Sequence, residues 1–146
     1  MSVQILNRKA HFNYSIVEEI EAGVILLGSE VKSIRQGKAN LNEAYCAEVK
    51  GELFLINAHI SEYSGANRFN HEPKRARKLL LHHREINKIS SKMNSLGFSL
   101  IPLKIYSNKK NFIKILLGLG KGKKLHDKRH TIKARDEARH MQRHNE

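Results

Sequence analysis

The chain is poor in the residues that mark several large classes of protein. Among its 146 residues there is one cysteine and no tryptophan. A lone Cys46 cannot close an internal disulfide, and by itself it cannot build a thiolate zinc site. No apolar run approaches the roughly 18–20 residues needed to cross a bilayer. Met1 to Phe12 hold no continuous hydrophobic stretch of the kind that forms a secretory signal. A soluble, cytoplasmic protein is therefore expected, with no membrane partner. Acidic residues are scarce as well: 14 Asp and Glu stand against 27 Lys and Arg, a formal charge of +13. Such an excess sets up a surface potential of several kT and gathers polyanions. A membrane-surface protein would place Trp, Phe and Leu opposite a basic helix face. Here the most basic segment has few large apolar groups, so nucleic acid is the expected partner. Aromatics make up only 6% of the chain. With so few stacking platforms, recognition of a folded RNA by shape and backbone fits better than generic single-strand binding.

What is present is enough for one core. Forty per cent of the residues are hydrophobic, and the length suits a single domain with a tail. The large apolar residues concentrate in 1–120. The segment 121–146 has nine Lys or Arg, four Asp or Glu, and only Leu125, Ile132 and Met141 as large apolar groups. It cannot bury enough surface to offset its own ordering, and it reads as a flexible basic tail entered through a hinge at Gly118–Gly122. The division is a barrel over 1–120 and a tail over 121–146.

Within the first part, apolar segments at His11–Ile20, Ala22–Leu27, Tyr45–Val49, Glu52–Ile60, Phe98–Tyr106 and Phe112–Leu119 predict six strands. Lys50-Gly51 and Ser107–Asn111 serve as hairpin turns. Strands joined in this way favour a mainly β fold, a small antiparallel OB-like barrel. Three helices interrupt it. One begins at Ser29 with Glu30 in its first turn and stops at Gly37. A longer one over His83–Leu96 carries a core-facing stripe of Ile86, Ile89, Met93 and Leu96. Glu72-Pro73 could start a third.

No phosphate-cradling GxxxxGK[ST] loop, GxGxxG turn or HExxH pair occurs. His126 and His130, like His140 and His144, are spaced i, i+4. In the tail, with little carboxylate support, they read as solvated or phosphate-contacting rather than metal-binding. Cys46 reads as a small buried hydrophobe. Neither catalysis, a metal nor a cofactor is expected. Basic clusters remain: Arg8 and Lys9; Lys32, Arg35 and Lys38; Lys74, Arg75, Arg77 and Lys78; and Lys121, Lys123, Lys124, Lys128 and Arg129. Together they could neutralise several phosphates along one groove.

Asn7-Arg8-Lys9-Ala10, Glu21-Ala22-Gly23, Gly28-Ser29-Glu30-Val31-Lys32-Ser33, Gly37-Lys38-Ala39-Asn40, Arg77-Lys78-Leu79-Leu80-Leu81, Gly120-Lys121-Gly122-Lys123-Lys124 and His126-Asp127-Lys128-Arg129 occur in this order. With them the chain resembles the family of SsrA-binding proteins, also called small protein B, the bacterial partner of transfer-messenger RNA. The resemblance implies an oligonucleotide-binding-type barrel with three helices and a tail disordered in solution; a monomer is expected. It implies trans-translation, the rescue of stalled ribosomes. The barrel would hold the tRNA-like domain of transfer-messenger RNA, with elongation factor Tu in the delivery complex. The tail would enter the messenger channel and decoding centre of the small ribosomal subunit. By the same resemblance the RNA-binding cluster maps to Asn7, Glu21 and Leu80, and the decoding-site role falls to the tail around His126, Asp127, Lys128 and Arg129, with Lys121, Gly122, Lys123 and Lys124 leading into it. From charge, Arg8, Lys32, Arg35, Lys38, Arg77 and Lys78 are expected backbone contacts. A carboxylate such as Glu21 accepts hydrogen bonds from base amino and imino groups, which gives specificity rather than affinity; its bland alternative is a pair with a nearby lysine. Leu80 fits either a binding face or the core. Ile132, Arg135, Asp136 and Arg139 lie at roughly helical spacings, so the tail is expected to fold inside the channel. Two departures stand out: Glu137 occupies a place where many relatives carry a bulky residue, and the motif begins at Asn7, without the N-terminal extension of some relatives. A basic structural protein of the ribosome is the alternative reading.

Overall fold

A computed structural model describes residues 3–65 and 70–123. Among these residues nine strands and three helices follow one another as β1 (Gln4–Leu6), α1 (Ala10–Asn13), β2 (Tyr14–Val24), α2 (Gly28–Arg35), β3 (Ala39–Asn40), β4 (Tyr45–Val49), β5 (Glu52–Ile56), β6 (His59–Ile60), β7 (Arg77–Leu80), α3 (His83–Leu96), β8 (Ser99–Ser107) and β9 (Ile113–Gly122). Seven strands form one antiparallel sheet in the order β1-β8-β9-β2-β7-β5-β4, and β3 pairs with β6 in a separate ribbon. The sheet curls until β4 packs against β8. Most predicted strands are found, and so are both hairpins.

Register decides what each strand buries. The β2–β9 pairing slips between Ile16 and Glu18, and the β8–β9 pairing slips between Pro102 and Lys104. Because side chains alternate with period two, one extra residue swaps the two faces. Leu100 and Ile105, an odd number of positions apart, therefore both enter the main core, with Ile34, Leu53, Leu55, Leu79, Ile115, Leu117 and Leu119. Ile101 and Leu103 turn to the other face, where they meet Ala10 of α1, with Tyr14, Ile16 and Leu116 packed around them. One sheet thus supports a core on each side.

Several expectations are corrected. The two predicted strands at His11–Ile20 and Ala22–Leu27 are a single strand, β2, preceded by α1. No turn residue lies between them, and the slip near Ile16 absorbs the change of face. The third helix is α1, not a segment at Glu72-Pro73, where the Arg75 N–H closes a turn on the Glu72 carbonyl at 3.1 Å. Leu96 points to solvent, 53% exposed, because α3 ends there at Gly97, whose φ of +68° suits glycine. The supposed hinge is strand: Gly118, Gly120, Lys121 and Gly122 lie in β9 and pair with Glu19, Ile16, Ser15 and Tyr14 of β2. The barrel therefore continues past 120.

Candidate nucleic-acid interface

On the outer face of the sheet, the C-terminal end of β2 lies between β7 and β9, with β8 beyond β9. Gly23 of β2 lies opposite Leu80 of β7, and Tyr106 of β8 lies opposite Lys114 of β9. Glu21, Gly23, Leu80 and Lys114 line a recess of about 360 Å³, together with Leu81, His82 and Glu85 at the start of α3. Gly23 forms its floor: a β-carbon there would come within 3.2 Å of the Leu80 β-carbon. Leu80 is 49% exposed, so it belongs to this surface and not to the core.

Glu21 takes a hydrogen bond from the Tyr106 hydroxyl, a partner other than the neighbouring lysine of the bland reading. Desolvation, and then the hydrogen bond to Glu21 and its charge, push the Tyr106 hydroxyl up to about 12. It therefore stays a donor across physiological pH. Lys104 stands 5.0 Å from the Tyr106 ring centroid and steadies the ring through its π face. Glu21 keeps its other carboxylate oxygen for an incoming donor, held by a tyrosine that sequence reasoning missed. Cross-strand register, which composition does not reveal, brings that tyrosine in.

Asn7 does not join this cluster. It follows Leu6, and the register Leu6–Lys104–Leu116–Glu21 places it three strands away, roughly 14 Å along the sheet. Its N–H reaches the Leu103 carbonyl at 2.8 Å and its side-chain amide donates to the Pro102 carbonyl at 2.9 Å. Asn7 thereby ties β1 to the irregular stretch of β8. Its Oδ1 is buried without a hydrogen-bond partner.

The cations divide by environment. Arg77, expected at the RNA backbone, is fully buried. It donates to Glu30 Oε2 at 2.5 Å and to the Ala58 carbonyl at 2.7 Å, so its donors are committed inside the barrel and that expectation is corrected. The strand alternation of β7 turns Arg77 inward with Leu79, and Glu30 of α2 meets it there. Arg35 lies on the surface but clamps the β8–β9 loop, donating to Asn111 Oδ1 and to the Asn111 carbonyl, each at 2.9 Å. Lys78 bridges to Glu52 at 2.8 Å with both side chains over a third exposed. Such a pair contributes little and exchanges readily for a phosphate. Lys32 rests 5.3 Å from the Tyr63 ring centroid. Arg8, Lys32 and Lys38 are exposed, as is Lys121. Lys123, just past β9, donates its N–H to the Asn13 carbonyl at 2.8 Å. Lys124, His126, Asp127, Lys128 and Arg129, like the remaining tail histidines and Glu137, lie outside the described residues.

Cys46 is buried in the main core, and burial pushes its thiol up. Among the described residues no three His, Cys, Asp or Glu side chains are grouped to hold a metal, and no helix is long and apolar enough to cross a membrane.

Comparison with known proteins places this geometry. The family model described as SmpB protein matches residues 4–146. The SsrA-binding protein of Sinorhizobium fredii (strain NBRC 101917 / NGR234) is 58% identical over 130 residues, 89% of this chain and 82% of that protein. The SsrA-binding protein of Rickettsia bellii (strain OSU 85-389) is also 58% identical over 130 residues, covering 89% of this chain and 86% of the relative. A solved chain from work on tmRNA-SmpB and the centre of the bacterial ribosome shares 40% identity and a TM-score of 0.71, over 88% of this chain and 94% of that one.

Proposed function

The chain belongs to the SmpB protein family, and from that premise we propose that it is an RNA-binding adaptor of trans-translation. It binds transfer-messenger RNA and acts with it on the ribosome. In this reading the barrel grips the tRNA-like domain, elongation factor Tu accompanies the complex, and the segment from Lys121 through Arg129 works at the decoding centre. The cytoplasm, where ribosomes translate, is the site of action. No step requires a catalytic side chain: the one thiol is buried, and the recess holds an oriented carboxylate rather than a nucleophile with a base.

The recess shared by Glu21, Leu80 and Lys114 carries the reading. A carboxylate on a body of charge +13 is unfavourable for bulk phosphate binding, yet a tyrosine holds it in place. That arrangement suits a contact that reads base edges, while the surrounding lysines supply affinity. Labelled transfer-messenger RNA challenged with excess ordinary tRNA at near-physiological salt tests it. The parent chain should retain its RNA. Glu21→Ala should weaken that specific binding about tenfold and leave nonspecific binding nearly unchanged, with Tyr106→Phe showing a smaller loss of the same kind. Equal losses for both classes of RNA would reduce Glu21 to a structural role, and a parent chain indifferent between the two RNAs would overturn the function.

A further inference from the structure

Phe112 is 62% exposed, the large apolar side chain of the β8–β9 loop. An exposed phenylalanine on a mobile loop would carry little meaning, but this loop is built to hold its shape. Asn108 Oδ1 accepts from the N–H groups of Lys110 at 3.0 Å and Phe112 at 2.9 Å, and the Asn108 N–H returns to the Phe112 carbonyl at 2.9 Å. Asn111 adopts a φ of +66°, a conformation that asparagine tolerates better than most residues. The two hydrogen bonds from Arg35 then fix Asn111 to α2. An arginine and two asparagines, Asn108 and Asn111, thus hold the loop that presents one ring.

The ring opens onto a second recess, lined by Val31, Arg35, Leu80, Phe112 and Lys114 over Gly23. Gly23, Leu80 and Lys114 also line the Glu21 recess, so the two recesses adjoin as a groove with a carboxylate in one part and an aromatic ring in the other. Apolar walls and two cationic side chains suit a flat, uncharged ring attached to a phosphate. They do not suit an acidic peptide, which would meet Glu21 along the same groove.

We infer that Phe112 is a stacking platform for one unpaired base of the bound RNA, a subsite adjoining the Glu21 contact; this rests on the RNA-binding function proposed above. Stacking needs only the face of a base, so Phe112 supplies affinity and fixes the position of the strand, while Glu21 reads an edge. A rigid loop lowers the ordering entropy lost on binding. Chains of this kind with few aromatics need only one such anchor if recognition otherwise follows shape.

The absence of tryptophan provides a direct test in the full chain. Phe112→Trp installs a single fluorophore at the proposed contact. Its emission should be quenched by transfer-messenger RNA in proportion to the complex seen by gel mobility, saturating at one RNA per protein. Phe112→Ala should weaken binding about ten- to hundredfold, whereas Phe112→Tyr should remain within about threefold of the parent. Unchanged tryptophan emission in a complex that forms normally would overturn the subsite, as would parental affinity in Phe112→Ala. Either result leaves the parent's preference for transfer-messenger RNA over tRNA intact. Loss of that preference in the parent chain itself would overturn the RNA-binding function and the subsite with it.

Discussion

The Glu30 carboxylate takes hydrogen bonds from Arg75 at 2.6 Å, from Arg77 at 2.5 Å and from the Leu27 N–H at 2.7 Å. Burial by itself raises its pKa, but the bonds from Arg75, Leu27 and Arg77, with the charge of Arg77, hold the group below its ordinary value of 4.5. The stability it supplies is complete above that ordinary value and is lost as pH falls through the lower folded-state value. Glu30→Gln leaves Arg77 buried without a counter-charge and should destabilise the chain by about 3–5 kcal/mol at neutral pH. Its remaining stability should then fall less steeply below pH 4.5 than that of the parent. Denaturant titrations across the acid range read both effects; parallel pH profiles for the two proteins would show that Glu30 is not the acid-sensitive group.

The glycines of β9 act by what they leave out. A β-carbon at Gly120 would lie 2.1 Å from the Ser15 carbonyl oxygen and 2.9 Å from the Ile16 α-carbon, both backbone atoms of β2. At Gly118 the obstacle is the buried Leu103 side chain at 3.0 Å, which can give by a few tenths of an ångström where backbone cannot. Gly120→Ala should therefore cost about 3 kcal/mol or more, and Gly118→Ala less, in paired denaturant titrations; similar losses would deny the close approach. The sequence pattern showed Gly118–Gly122 only as a glycine-rich stretch, and its bland reading as a hinge fails because the tight spot is created by a partner strand a hundred positions earlier. The same reason hides Tyr106 from sequence reasoning, buries Arg77 and separates Asn7 from Glu21. Local signals were readable: α3 begins and ends at its predicted residues, Ser107–Asn111 forms a hairpin turn, and Cys46 is in the core. Glu21 and Leu80, known from a resemblance spanning nearly the whole chain, do share a recess. Contacts across strands depend on register, and two slips in register are invisible in a pattern of apolar residues.

For the molecule as a whole, the end of β9 sets where a truncation is informative. Cutting after Gly120 would remove the partners of Tyr14 and Ser15, damaging the barrel along with everything beyond it. Cutting after Lys123 retains the whole described barrel and its last bond, from Lys123 to Asn13. That shorter chain should bind transfer-messenger RNA within about tenfold of the parent, or about 1.4 kcal/mol, yet fail to support peptide tagging on stalled ribosomes. Tagging by the truncated protein would show that residues 124–146 are dispensable. Strand β9 also acts as a ruler. From Lys114, beside the groove, it runs to Gly122 beside Tyr14, a span of roughly 26 Å at about 3.3 Å per residue. The point where the described barrel ends is thus held at a fixed offset from the groove. Lengthening β2 and β9 together by two residues would keep every side chain on its face and move that end point by about 7 Å, which makes the barrel a gauge whose calibration can be altered one pleat at a time.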